Sequence, residues 1–303
     1  MKTSAAPELT PQQAKEETVR IVDFLRQHLN PDGKAVIGLS GGIDADVVAR
    51  LACRAIGPDR LKLLIMIQEG LENKFVFQAR NTAAALGVHL TEIDLSPLSL
   101  PLLSAIAAAD PQHKFCPEGL LDPARSKSSL RTAVFSMYVE RGYLIIGTSN
   151  RTEYELGFFL PLGDGAWHLG PIAHLYKTQI FDLARYLGTA GDVILQPPSG
   201  GFWPGETDLE DIAFWLVYGE PVQKDVNWSR DDMAAFARIH EVLTFPVIDA
   251  VLSQLPRESN DAAIADSLGI SIEIVARMRL LVGRAQRVKK RPLRLSIDAK
   301  SAA

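Results

Sequence analysis

The residues with the clearest chemical potential are Ser40, Gly41, Gly42, Ile43 and Asp44, which lie between the apolar run Ala35–Leu39 and a stretch of helical periodicity closed by Gly57. A strand-to-helix loop of small residues aims several backbone N–H groups at one point. The helix that follows adds the positive end of its dipole, so an anion is stabilised there. Gly41 and Gly42 permit close approach of a ligand to the backbone, and Ser40 adds a hydroxyl. Asp44 does not favour phosphate by itself and makes sense chiefly as a ligand for Mg2+ bridging phosphate oxygens. The competing reading is a tight structural turn with Asp44 as a helix cap. The loop has no lysine in the register of the G-x-x-x-x-G-K-[ST] phosphate loop, and it carries Ala45 where a nucleotide loop of this kind usually keeps a hydroxyl.

The surrounding pattern indicates what must hold this loop in place. "AVIGLS", "LKLLIMIQ", "VHLTEIDL" and "YLIIGTSN" read as buried strands, and "DADVVARLACRAIG", "NKFVFQARNTAAALG", "SSLRTAVFSMYVERG" and "HLYKTQIFDLARYLG" as helices. The alternation predicts an α/β fold, a doubly wound parallel sheet with helices on both faces. Leu98 to Pro123, with five prolines in and beside it, reads as a long loop, and "DVILQPPSGGFWPGETD" as a Pro/Gly-rich loop where α/β folds place ligands. The last third is helical without strands, so residues 1–218 form the expected core and 219–303 a helical C-terminal extension of the same unit. "SNDAAIADSLGIS" has the cadence of a helix-turn-helix, but 32 basic against 36 acidic residues leave a net charge of −4, which argues against a nucleic-acid reader. Two cysteines, Cys53 and Cys116, supply neither a disulfide framework nor a zinc site. No signal-peptide core and no membrane-length apolar stretch is visible, so a cytoplasmic protein without a membrane partner is expected.

"SGGIDAD" resembles the SGGxDS loop of the ATP pyrophosphatases, of the adenine nucleotide alpha hydrolase-like fold. "GTSNRTEYELGFF", "GDGAWHLGPIAHLYKTQIFDLARYLG", "PPSGGFWPGETDLED" and "KKRP" then follow in the order and near the spacing found in NAD+ synthetases. The resemblance runs from about Val19 to Pro292, with a divergent stretch near Gly219–Arg230. It implies an amide ligase that uses ATP and Mg2+ to adenylate the nicotinate carboxylate of deamido-NAD, with ammonia displacing AMP. By the same resemblance Gly38, Ser40, Gly41, Gly42, Ile43 and Asp44 hold the phosphates, and Asp44 and Glu153 hold the metal. Thr148 contacts the nucleotide, while Lys177 and Ser199 reach the phosphates. Lys289 matches a lysine of a basic tail that folds over the ATP site, and Asp164, His168 and Arg131 fall to the acceptor side.

The chain departs from that pattern at four places. Ala45 lacks the loop's second hydroxyl, worth roughly 1.5–3 kcal/mol as a charge-assisted hydrogen bond. His168 replaces an acid and Val288 a histidine. An Asn-x-x-x-Arg-x-Arg pattern falls on Ala124, Ser128 and Leu130, with Arg125, Lys127 and Arg131 nearby. These departures lie mostly on the acceptor side, so a paralogue that amidates a different carboxylate remains open, and so does a nucleotide-binding regulator without turnover. Eight basic residues from Arg277 to Arg294, with no acid among them, read otherwise as a solvated face or an anion patch. Expected partners are ammonia, free or from a separate glutaminase, and a second copy of the chain. The Pro-rich segment and the helix after it would then lie near the homodimer interface.

Overall fold

Strand β1 (Lys34–Gly38) is the centre of the sheet, and its alternate residues explain the layers. Ala35 and Ile37, with Leu61, Leu63 and Ile65 of β2 (Leu61–Ile67), face one core. Val36 and Leu64 face the other, with Ile145 of β4 (Tyr143–Ile145). With β3 (Leu90–Asp94) the four strands are all parallel in the order β3-β2-β1-β4. The computed structural model describes residues 6–29, 31–119, 121–219 and 228–288.

Helices α1 (Pro11–Leu29), α2 (Ile43–Ile56) and α3 (Asn73–Leu86) bury their apolar faces on the first core, the doubly wound α/β arrangement expected. Leucines and alanines dominate α4 (Ser96–Ala109), which occupies much of the segment expected to be a loop. Pro97 lies in its first turn, where the missing N–H has no helical partner to lose. Pro101 is carried inside the helix, and Leu98, Leu100, Leu102 and Ile106 are all exposed, so no single buried stripe marks it as a helix. Helix α5 (Leu121–Val139) covers the second sheet face through Val134, Phe135 and Tyr138.

Beyond β4 come α6 (Arg151–Leu156), α7 (Lys177–Leu187) and the short α8 (Gly191–Leu195), which occupies the start of the second expected loop. The C-terminal helices are α9 (Asp208–Tyr218), α10 (Arg230–Val242), α11 (Phe245–Gln254), α12 (Asp261–Leu268) and α13 (Ile272–Val288). They build their own apolar cluster, to which Leu156 and Tyr176 of the preceding chain contribute. Gly57 ends α2 as expected from sequence, and Gly188 and Gly269 end α7 and α12 in the left-handed conformation. Among the described residues no helix is long and apolar enough to cross a membrane.

Candidate active site

Because β4 lies beside β1 while β2 and β3 continue on its other side, the direction of winding reverses between β1 and β4. Parallel α/β sheets bind ligands at the carboxyl ends of strands flanking such a reversal. The Ser40 loop leaves β1 at that point, and Thr148, Asn150 and Glu153 follow β4.

Gly41 has φ +87°, and a Cβ on it would stand 2.2 Å from the Phe75 carbonyl oxygen, so both conformation and packing require glycine. The Gly42 N–H donates to Ser40 Oγ at 3.2 Å. No side chain caps α2, and the buried Ile43 sets its first turn against the core, so the helix opens on free N–H groups as an anion site requires. Ala45 is 2% exposed within the core cluster, so its methyl packs inward and is not part of the cavity lining.

Asp44, Glu153 and Lys177, more than a hundred residues apart at their extremes, converge. Asn150 starts α6 as half of a capping box: its side chain accepts from the Glu153 N–H, and Glu153 reaches back to the Asn150 N–H. Asn150 Nδ2 also donates to Glu153 Oε1 at 2.6 Å and to Asp44 Oδ1 at 3.0 Å, tying the two carboxylates together. Lys177, the first residue of α7 and 1% exposed, donates to Asp44 Oδ2 at 2.6 Å and lies 3.3 Å from Glu153 Oε1. Asp208 of α9 stands 3.9 Å from the same ammonium.

Three carboxylates thus share one buried ammonium. Burial pushes Glu153 up to about 8 against the pull of Lys177, with Asp44 and Asp208 adding to the rise. Burial also carries Asp208 up to about 6. Burial disfavours the Lys177 ammonium, yet the three acids outweigh it and hold Lys177 above its ordinary value. The cluster lacks positive charge. Among the described residues no three His, Cys, Asp or Glu side chains converge as a metal cage. The tied pair Asp44 and Glu153 instead suits an ion such as Mg2+, which is held by one or two carboxylates plus substrate phosphates.

A cleft of about 860 Å³, counted to its open mouth, adjoins this cluster. Gly38, Ser40, Thr148 and Ser199 line it, with Phe75, Phe135 and Trp167 as apolar walls. Arg131 and Asp164 also line it. Arg131 is steadied by Gln68 Oε1 at 3.2 Å and by the Phe202 ring 5.3 Å away, while Asp164 accepts from the Leu160 N–H at 2.8 Å. His168 is not on this lining, and its Nδ1 accepts from the Ile145 N–H at 3.0 Å. Ala124 and Ser128 are buried, and Lys127 donates to the Glu69 and Phe202 carbonyls, so of the nearby cations Arg131 alone reaches the lining.

Three arginines of the basic run, Arg277, Arg279 and Arg284, pair with backbone carbonyls and so are not simply a solvated face. Arg277 donates to the Leu216 and Val217 carbonyls, Arg284 to Gly219 O, and Arg279 to the Leu255 and Glu258 carbonyls, closing the ends of α9 and α11. Helix carboxyl ends leave carbonyls unpaired and attract cations. Lys289 lies outside the described residues.

Sequence reasoning overlooked Asp249. It is 0% exposed in α11 and accepts from Thr152 Oγ1 at 2.5 Å and from the Thr178 N–H at 2.8 Å, while Thr152 Oγ1 accepts from the Lys177 N–H at 2.9 Å. One carboxylate therefore fixes the first turns of α6 and α7, and with them Glu153 and Lys177. The available signal was an acid inside the otherwise apolar stretch "FPVIDAVL".

The NAD synthase family model matches residues 17–218. The chain is 28% identical to the NH3-dependent NAD+ synthetase of Pyrococcus furiosus, over 92% of this chain and 93% of that protein. It is 34% identical to the enzyme of the same name from Methanosarcina mazei, over 68% and 79%. Among solved structures, the NMN synthetase of Francisella tularensis superposes with a TM-score of 0.69 at 24% identity, covering 96% of this chain and all of that one. The NH3-dependent NAD synthetase of Campylobacter jejuni superposes with a TM-score of 0.65 at 21% identity, over 93% and 99%. With a family match across most of its length and the switch-point cluster in place, this chain belongs to the NAD synthase family.

Proposed function

We propose that the protein is an ammonia-dependent, AMP-forming amide ligase that adenylates the nicotinate carboxylate of deamido-NAD and transfers ammonia to give NAD+, AMP and pyrophosphate. The observation that carries this reading is the convergence of Asp44, Glu153 and Lys177 at the open end of α2. Ser40, the N–H groups of Gly41 and Gly42 and the first turn at Ile43 receive the β- and γ-phosphates. Thr148 and Ser199 approach from the facing loops, and Gly38 leaves room below. Asp44 and Glu153 would hold Mg2+, which supplies Lewis-acid neutralisation of the phosphates when bound. The Lys177 ammonium beside them would neutralise charge on the departing pyrophosphate. Its charge is already in place, so little reorganisation is needed. The substrate carboxylate is the nucleophile in this half-reaction, and no side chain needs to form a covalent intermediate.

Arg131 and Asp164 mark the acceptor end, with Trp167 on the same lining. A second reading, amidation of a different carboxylate, draws on the sparse positive charge there: among the described residues Arg131 is the one cation on the lining. His168 would contribute to the acceptor only from outside that lining, and Lys289 would add a phosphate contact.

A homodimer would cover exposed apolar side chains of α4, Leu98, Leu100, Leu102 and Ile106, and Met137 of α5. Ammonia would arrive free or from a separate glutaminase. The test is incubation with ATP, Mg2+, ammonia and deamido-NAD, following pyrophosphate, AMP and NAD+. Equal amounts of all three support the first reading. AMP only with nicotinate mononucleotide or another acid supports the second, and no pyrophosphate with any acid leaves a nucleotide-binding protein without turnover.

A further inference from the structure

We propose that Asp46 is a positioning residue for the phosphate end: it clamps the far end of α7 to α2 and so holds the Lys177 ammonium where pyrophosphate departs. The inference rests on the amide-ligase reading above. Asp46 lies two residues beyond Asp44 in the first turn of α2, and a two-residue step turns a helix by roughly 200°. Asp44 faces Lys177, whereas Asp46 is 1% exposed and takes no part in the cleft lining. Both of its oxygens are fully used. Oδ1 accepts from Thr82 Oγ1 of α3 at 2.6 Å and from Arg50 Nη2 at 3.2 Å. Oδ2 accepts from Arg50 Nε at 2.7 Å and from Thr189 Oγ1 at 2.5 Å. Four donors on one buried carboxylate leave no place for an ion or a substrate. Arg50 also offsets a negative charge that would otherwise oppose phosphate at the opening of α2. What remains for Asp46 is to hold its neighbours.

Thr189 directly follows Gly188, which stops α7, and its N–H donates to Ala184 O at 3.0 Å, so it is fixed to the last turn of that helix. Two polar contacts thus join α2 to α7: Asp44 to Lys177, the first residue of α7, and Asp46 to Thr189, just beyond its last. A helix of 11 residues is about 16 Å long, and the two acids in one turn of α2 catch this one at both ends. The first contact belongs to the reacting cluster, where Asp44 would also serve the metal ion. The second is buried, with Thr189 only 7% exposed, and keeps α7 in register with α2 whatever occupies the site. Asp249 fixes the first turn of α7 against α6 and α11, and Asp46 fixes the helix against α2, which carries Asp44. Lys177 must meet charge that develops on a departing group, and a misplacement of about 1 Å can cost about a hundredfold in rate.

The test compares Thr189→Val with Thr82→Val. Each removes one hydroxyl donor from the same carboxylate at nearly constant volume, and they differ in the helix released, α7 or α3. Thr189→Ser keeps the hydroxyl. Urea midpoints are read for all three, with kcat and the KM for ATP in deamido-NAD-dependent pyrophosphate release. The expected result is that the two valine variants lower the urea midpoint alike. Thr189→Val lowers kcat about tenfold or more with the KM for ATP within about twofold, while Thr82→Val and Thr189→Ser keep kcat within about twofold of the parent. Equal falls of kcat in the two valine variants would show that Asp46 only holds the fold together, and an unchanged kcat in Thr189→Val would equally overturn the proposal. A crystal structure of Thr189→Val gives an independent reading: the proposal expects Lys177 Nζ displaced by about 1 Å or more from Asp44, and an undisturbed contact contradicts it. If the parent itself releases no pyrophosphate with deamido-NAD, the ligase reading fails, and that crystal structure alone decides whether Asp46 positions Lys177.

Discussion

Replacing Lys177 by methionine removes the ammonium and keeps most of the side-chain volume. Asp44 at 2.6 Å, Glu153 at 3.3 Å and Asp208 at 3.9 Å then lose the cation they share. Removing one partner of a buried ion pair costs about 3–5 kcal/mol, because the remaining charge stays desolvated. Here the loss has a pH signature. Glu153 and Asp208 already sit at about 8 and about 6, and without the ammonium both rise further. At pH 5 they are protonated in the fold and need little compensation, so Lys177→Met should lose on the order of 1 kcal/mol there and roughly 3 kcal/mol at pH 8. Urea unfolding at the two pH values measures the difference. Pyrophosphate release should fall by about a hundredfold to a thousandfold, the usual effect of removing a preorganised charge from a developing oxyanion. Equal destabilisation at both pH values, or turnover within tenfold of the parent, would refute this account of the cluster.

Other expectations can be checked alongside. The ligand-free parent should itself lose a few kcal/mol between pH 5 and pH 8. An acid whose folded value is raised binds a proton on folding, so its stability is present below the unfolded value and lost up to the folded one: 4.5 to about 8 for Glu153 and 3.8 to about 6 for Asp208. Urea midpoints across that range report it. Gly41→Ala should unfold or displace the loop at a cost of several kcal/mol, since a Cβ would lie 2.2 Å from Phe75 O at a positive φ, and a thermal melt together with ATP binding reads both effects. Asp249→Asn should lower pyrophosphate release about tenfold or more through misplacement of Glu153 and Lys177, and Asp249→Glu should not rescue it, as steady-state kinetics of the two variants would show. Ala45→Ser should leave turnover within about threefold, because this position packs into the core, and a pyrophosphate assay decides it.

Much of this site could be read from short sequence patterns because its parts are local. A strand, a small-residue loop and a helix identify an anion site around Ser40 without any long-range knowledge, and Gly188 and Gly269 stop their helices by backbone conformation alone. The resemblance marks Glu153 as a metal ligand, and the structure shows the capping box that orients it and, through Asn150, ties it to Asp44. The parts that escaped depend on distant partners. Asp249 acquires meaning only from Thr152, 97 residues earlier, and the arginines of α13 only from the carbonyl ends of α9 and α11. Helix α4 escaped for a different reason: its prolines look like breakers wherever they stand, and its apolar residues surround it without choosing a face.

The central claim is that the substrate carboxylate attacks the α-phosphorus of ATP. It is tested most directly by running the reaction with deamido-NAD whose nicotinate carboxylate carries heavy oxygen, and weighing the products. The account predicts one heavy oxygen in AMP for each amide formed, and none in pyrophosphate. Heavy oxygen in inorganic phosphate or pyrophosphate, or amide formed with unlabelled AMP, would contradict it.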